Sequence, residues 1–256
     1  MTHTRATSGL LVGAIVLTAF ATGCGGATIW SREEEIRVGR EASERLEEEY
    51  EVSRNPADVA LIEGIGQRLV AAGKVDDWPF TFKVLEERSV NAVSLPGGPI
   101  YIFRGLIDLT EGDEDELAAV MAHEMAHIQK RHVSKMIAQG VFTNLIIVLA
   151  TGGAVRTAAQ LVAVMAQLRF SRDDEYESDR LAIRYTYRAG YDPNGLVRFF
   201  EKLKRLEKEE SPDPVTFNLT RTHPLTDARI NRAREEIAKV VQEVNAELEA
   251  EYLRDK

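Results

Sequence analysis

Met121-Ala122-His123-Glu124-Met125-Ala126-His127 holds the residues of this 256-residue chain best suited to chemistry. Two histidines four apart share one face of a helix, and a glutamate directly after the first sits about 100° round it. His-Glu-x-x-His on a helix is a zinc-binding pattern that carries its own general base: two imidazoles grip the ion and the carboxylate lies beside a coordinated water. A hydrolytic zinc takes three protein ligands and leaves one position open, so a third ligand must come from elsewhere in the chain. His132 is near in sequence, but the long metzincin spacing needs glycine at 130 and histidine at 133, where the chain has Lys130 and Val133. Farther on, Glu175 and Asp179 lie four apart in Arg172-Asp173-Asp174-Glu175-Tyr176-Glu177-Ser178-Asp179, the spacing of a ligand and a carboxylate that orients a ligand histidine. Glu175 is the expected ligand, and Glu177, on a different side, reads as a solvated helix acid.

The motif needs a buried helix. Asp113 to Ala138 supplies one, with Asp113, Glu114, Asp115 and Glu116 at the start and Lys130, Arg131 and Lys135 near the end to suit its dipole. Leu117, Val120, Met121, Met125, Ile128 and Met136 form a broad apolar stripe, and Gly140 is a stop. Further helices are expected at Glu33 to Val52, Pro56 to Ala72, Thr157 to Phe170, Arg172 to Arg188, Pro193 to Glu209 and Thr226 to Leu253. Phe80 to Leu85 alternates with period two, and Val90 to Leu95 and Ile100 to Phe103 are short β-type runs around Pro96-Gly97-Gly98-Pro99, so a small sheet is expected. The apolar stretch 140–167 is broken by Gly152, Gly153 and Arg156, too soon for either half to span a bilayer. It reads as core helices, with a lid or membrane-facing plug over the cleft as the alternative.

Together His123-Glu124-Met125-Ala126-His127, Glu175-Tyr176-Glu177-Ser178-Asp179, Asn91-Ala92-Val93-Ser94-Leu95-Pro96-Gly97-Gly98 with Ile100 to Leu106, and Thr222-His223-Pro224-Leu225 with Arg229 resemble the HtpX, BepA and LoiP type of zinc metallopeptidase, relatives of the CAAX prenyl endopeptidases. The likeness covers roughly residues 33 to 235, in the family's order. It implies an α+β, mainly α-helical fold: a zincin-type (gluzincin) domain with a small β-sheet beside the active-site helix. It also implies one Zn²⁺ per chain on His123, His127 and Glu175, Glu124 as general base, and His223 and Arg229 near the active site. His223 either stabilises the oxyanion or occupies the open metal position and keeps the enzyme latent. Asp179 and Arg229 are expected behind the ligands. In such relatives a sheet edge lies beside the zinc and pairs with extended substrate, which makes Asn91, Ala92 and Val93 the candidate substrate contacts. No tetratricopeptide-period repeat follows the His-Pro segment, and the true transmembrane helices of HtpX-like relatives are missing, so the chain is nearer the short LoiP-like members.

At the N-terminus an apolar run from Leu10 to Ala21 has the length of a signal-peptide core, and Ala21-Thr22-Gly23-Cys24 resembles a bacterial lipoprotein cleavage box around the chain's one cysteine. The expected organisation is a signal peptide at 1–23, a lipidated tether at 24–32 beginning with Cys24, and a metallopeptidase domain at 33–256, anchored on the periplasmic side of the envelope, with the outer membrane favoured. Thirty-two basic against 41 acidic residues, a net charge of −9, argue against nucleic acid as a partner. The expected function is a zinc-dependent endopeptidase acting on unfolded or misfolded envelope proteins in quality control. The alternative is a periplasmic chaperone or assembly factor with a latent metal site. Oligomeric state is not readable.

Overall fold

Ser31 starts the first helix: its hydroxyl accepts from the Glu34 backbone N–H while the Glu34 carboxylate accepts from Ser31 N–H, a reciprocal cap on α1 (Arg32–Glu49). The structure, a computed structural model, describes residues 28, 30–138, 169–208, 219–254 and 256. The expected signal peptide, Cys24, the lid-or-core stretch 140–167, most of the helix expected at Thr157 to Phe170, and Glu209 lie outside the described residues. Where that helix should end, Arg169 and Phe170 are not helical.

α1 stops three residues before the expected Val52, because Val52 bridges Leu85 and Ser53 N–H donates to the Val84 carbonyl: the chain has turned extended to pair with a strand edge. Asn55 caps α2 (Pro56–Gly73), and proline at its first position gives up no helical hydrogen bond. The sheet has the order β1-β3-β2, with β1 (Thr81–Leu85) parallel to β3 (Pro99–Phe103) and β2 (Ala92–Ser94) antiparallel to it. Its period-two pattern divides the core. Ala92, Ile100 and Ile102 join a cluster with α2 and the zinc-motif helix, whereas Val93, Tyr101 and Phe103 join Ala42 and Leu46 of α1 on the other face. Burying each large apolar side chain contributes about 1.5–3 kcal/mol, so a one-residue slip of β3 would forfeit both faces together.

A seven-residue helix that the sequence reading lacks, α3 (Arg104–Thr110), follows β3 directly. Phe103 stands at its N-cap and supplies no side-chain cap, so the usual start signal is missing. Asp113 then accepts from the backbone N–H groups of Asp115 and Glu116 and starts α4 (Glu114–Gln129), in which every residue from Glu116 to Ile128 is buried. The expected helix to Ala138 is interrupted. Arg131 takes a left-handed φ of 57°, and a separate α5 (His132–Ala138) begins after it. The cause is tertiary: Arg131 Nε donates to the buried Glu35 Oε1 of α1 at 2.9 Å, and its Nη2 donates to the Trp30 carbonyl.

Beyond the next gap, Ser171 caps α6 (Arg172–Arg188) in a box with Asp174, at the expected bounds. α7 (Gly195–Lys208) starts two residues later than Pro193, because Asp192 accepts from Asn194 N–H and holds a turn there. The one-turn α8 (Leu219–Thr222) precedes α9 (Asp227–Arg254). Arg180, Arg184 and Arg188 of α6 pair with Glu236, Glu243, Glu247 and Glu251 along α9. The result is the mainly helical α+β architecture the sequence pointed to. Among the described residues no helix is long and apolar enough to cross a membrane.

Candidate metal centre

α4 presents His123 and His127 on one face, and their Nε2 atoms lie 3.0 Å apart. Two imidazole lone pairs do not sit this close unless a proton or a cation lies between them. α6, packed along α4, brings Glu175 to the same point, with Oε2 3.6 Å from His123 Nε2 and Oε1 3.7 Å from His127 Nε2. The short segment after α8 adds His223, whose Nδ1 is 3.3 Å from His123 Nε2 and 2.8 Å from Glu175 Oε1. The ligand atoms of all four lie within 4.8 Å of one another, and all four residues are buried. Zinc with bonds near 2 Å in a tetrahedron holds its ligand atoms about 3.3 Å apart, and these separations scatter around that edge. Two or three imidazoles and one carboxylate are also a donor set that zinc favours, so the residues fit the ion.

Support comes from behind. Asp179, one turn after Glu175, places Oδ1 2.9 Å from His123 Nδ1, a close contact set off the line of a good hydrogen bond. Arg229, near the start of α9, clamps Asp179 with two donors at 2.6 and 2.7 Å and reaches Glu175 with Nη1. It is 4% exposed, unlike the surface arginines around it. Burial alone would raise the carboxyl pKa of Asp179, but the Arg229 guanidinium overrides it and holds the group at about 2. Glu175 is likewise lowered, against its burial, by His223 and Arg229. His127 is driven well below the ordinary histidine range by burial and then by the neighbouring imidazoles, which favours the neutral ring a metal needs. For His223 burial opposes the charge, but Glu175 and Glu124 outweigh it and its pKa is raised.

Glu124 faces the other side of the cluster. Ser94 Oγ donates to its Oε2 at 2.5 Å, and its Oε1 lies 3.5 Å from His223 Nε2. Ser94 ends β2, so the sheet holds the expected general base, a role for Ser94 that the sequence reading missed. Ala92 and Val93 are buried on the same edge strand and Asn91 is buried just before it, its Oδ1 without a hydrogen-bond partner among the described residues. Phe170 also went unforeseen: its ring lies 4.0 Å from that of His127 and 5.1 Å from that of His223, closing the apolar side of the cluster. His132 and Glu177 stand behind the cluster and make contacts that their spacing did not suggest. His132 is not among the four converging residues, yet its Nδ1 lies 2.9 Å from His127 Nδ1. Glu177 is partly exposed, as a solvated acid would be, but it pairs with Lys130 and approaches His132 Nε2 at 3.2 Å.

A buried helix offering His-x-x-x-His, a carboxylate from a second helix and a small sheet holding the intervening glutamate together define a zincin-like metal centre. A model described as Peptidase family M48 matches residues 56–237, and the chain belongs to that family. It is similar to a putative beta-barrel assembly-enhancing protease of Vibrio cholerae, 31% identical over 79% of this chain and 44% of that protein. It also resembles the beta-barrel assembly-enhancing protease of Escherichia coli, 26% identical over 82% of this chain and 46% of that protein. A third relative is the metalloprotease LoiP of Escherichia coli, 32% identical over 52% of this chain and 55% of that protein. The matched region thus spans about half the length of these relatives.

Proposed function

We propose that this chain is a zinc-dependent endopeptidase of the bacterial cell envelope that cleaves unfolded or misassembled proteins. The observation that carries the reading is the convergence of His123, His127 and Glu175 beside Glu124 in a buried site. When bound there, Zn²⁺ lowers the pKa of a water from about 15.7 towards 7 and polarises the scissile carbonyl. Glu124 takes the proton of the attacking water and passes it to the leaving amine, while Ser94 fixes one oxygen of Glu124 and leaves Oε1 for that traffic. Asp179 and Arg229 hold His123 and Glu175 in place. The edge strand around Asn91, Ala92 and Val93 supplies main-chain pairing for an extended substrate, which is why unfolded segments suit it.

His223 would complete the ligand set of a bound zinc, its ring lying between the other ligand residues and Glu124. Nδ1 faces the other ligand atoms and Nε2 lies 3.5 Å from Glu124 Oε1, so the same ring would exclude water and stand against the base without bonding to it, as a latent state requires. Opening then means withdrawing the segment after α8. The envelope setting rests on the name of the beta-barrel assembly-enhancing relatives and on the lipoprotein-like sequence around Cys24, with lipidation there providing the membrane anchor.

The test is metal content together with cleavage of an unfolded substrate such as casein. Purified protein is expected to hold one zinc per chain. Glu124→Gln should retain it while losing about 10²–10⁴-fold in turnover. Equal turnover by the two proteins would remove the protease reading, and full rescue of aggregating clients by the variant would support the chaperone alternative.

A further inference from the structure

We propose that His132 and Glu177 form a proton-ordered relay that fixes the tautomer of the ligand His127, with His132 as the positioning residue. This rests on the metal-site reading above, since it concerns which nitrogen of His127 is free to bind.

The two ligand histidines are supported differently. His123 turns its Nδ1 towards the carboxylate of Asp179, the usual arrangement behind a metal-bound imidazole. His127 is also buried, but its Nδ1 meets the Nδ1 of a third histidine at 2.9 Å. Only one proton fits between two facing ring nitrogens. If His132 Nδ1 carried it, His127 Nδ1 would accept and the proton of a neutral His127 would sit on Nε2, the atom that points at the other ligands. That tautomer cannot bind a metal. The opposite order works at every step: His127 Nδ1–H donates to His132 Nδ1, and His132 Nε2–H faces Glu177 Oε2 at 3.2 Å and Asp174 Oδ1 at 3.4 Å. With two acceptors beyond it, His132 Nε2 is the nitrogen that must carry hydrogen. Lys130 Nζ, 2.7 Å from Glu177 Oε1, holds that carboxylate in place.

The chain break at Arg131 makes the contact possible. On an uninterrupted helix a residue five positions after His127 would stand about 140° round the axis from it. The left-handed Arg131, tied to Glu35 and Trp30, folds His132 back onto His127 and buries it completely. Four of the chain's five histidines thus gather here, three of them among the converging ligand atoms and one behind.

The experiment pairs zinc affinity, measured by competition with a chromophoric chelator, with long-range ¹H–¹⁵N correlation spectra of the imidazoles in the zinc-loaded wild-type protein. The spectra should show hydrogen on Nδ1 of His127 and on Nε2 of His132. His132→Leu should weaken zinc binding about 10–100-fold. His132→Asn, whose amide oxygen can accept the His127 proton, should recover most of that loss. Hydrogen on Nδ1 of His132 in the wild type would overturn the proposal, and so would a folded His132→Leu that binds zinc as tightly as wild type. Failure of the wild type to bind zinc would instead overturn the metal-site reading, so the two failures are distinguishable.

Discussion

Asp179 shows how one residue serves two ends of the site. Its carboxylate meets His123 on one side and a two-pronged guanidinium on the other, all inside the protein. Because the folded pKa is depressed from 3.8 to about 2, the stabilisation is fully present above the unfolded value and is lost as the pH falls through the folded one. The shift corresponds to about 2 kcal/mol. Denaturant unfolding of metal-free protein from pH 5 to pH 2 should therefore lose stability more steeply in wild type than in Asp179→Asn. Parallel curves would show that Arg229 does not sustain the charge. Glu124 and Ser94 illustrate the same economy, since a three-residue strand supplies the hydroxyl that aims a buried carboxylate.

Among the elements, α1 is the one whose position depends most on a missing side chain. A Cβ built on Gly39 would lie 1.7 Å from the Pro96 carbonyl oxygen in the turn between β2 and β3, a backbone atom that cannot swing away. Gly39→Ala should push α1 off that turn and cost about 1–3 kcal/mol, with loss of the proposed cleavage activity because Ser94 lies just before the turn. Gly64 in α2 is exposed and has nothing within 4 Å of its Cβ direction, so Gly64→Ala should gain about 0.5–1 kcal/mol. Chemical denaturation of the pair checks both, and equal effects would contradict the packing described for α1. The acid and base ladders between α6 and α9 matter differently: most of their members are partly exposed, so individual pairs contribute little, and their value is in registering Arg229 against Asp179.

At the level of the whole molecule, the metal centre joins parts of the chain far apart in sequence. α4, α6 and the segment before α9 each contribute to one buried cluster, so a ligand bound there ties them together. Free zinc at about a thousand times its dissociation constant should stabilise the fold by about 4 kcal/mol, raising Tm by roughly 10 °C for a chain of this size. Differential scanning with and without a chelator measures this. An unchanged Tm on chelation, in protein shown to have held zinc, would mean that the cluster is not a folding partner of the ion.

Much of this could be read from the residues. His123, Glu124 and His127 follow from helical spacing, because a helix converts sequence distance directly into geometry, whereas a spacing of four does not by itself select Glu175 with Asp179: Asp173 and Glu177 share it, and the resemblance to a family pattern singles out the former pair. The strands were legible for the same reason, their period of two marking two buried faces. What the tertiary structure alone decided is the set of contacts between elements. The break at Arg131 depends on a glutamate 96 residues away, the burial of Arg229 on a helix 50 residues earlier, and the contact from Ser94 to Glu124 on how a sheet meets α4. Local periodicity carries no information about such pairings, since they arise only when apolar faces pack and bring distant polar groups out of water, where each must find a partner.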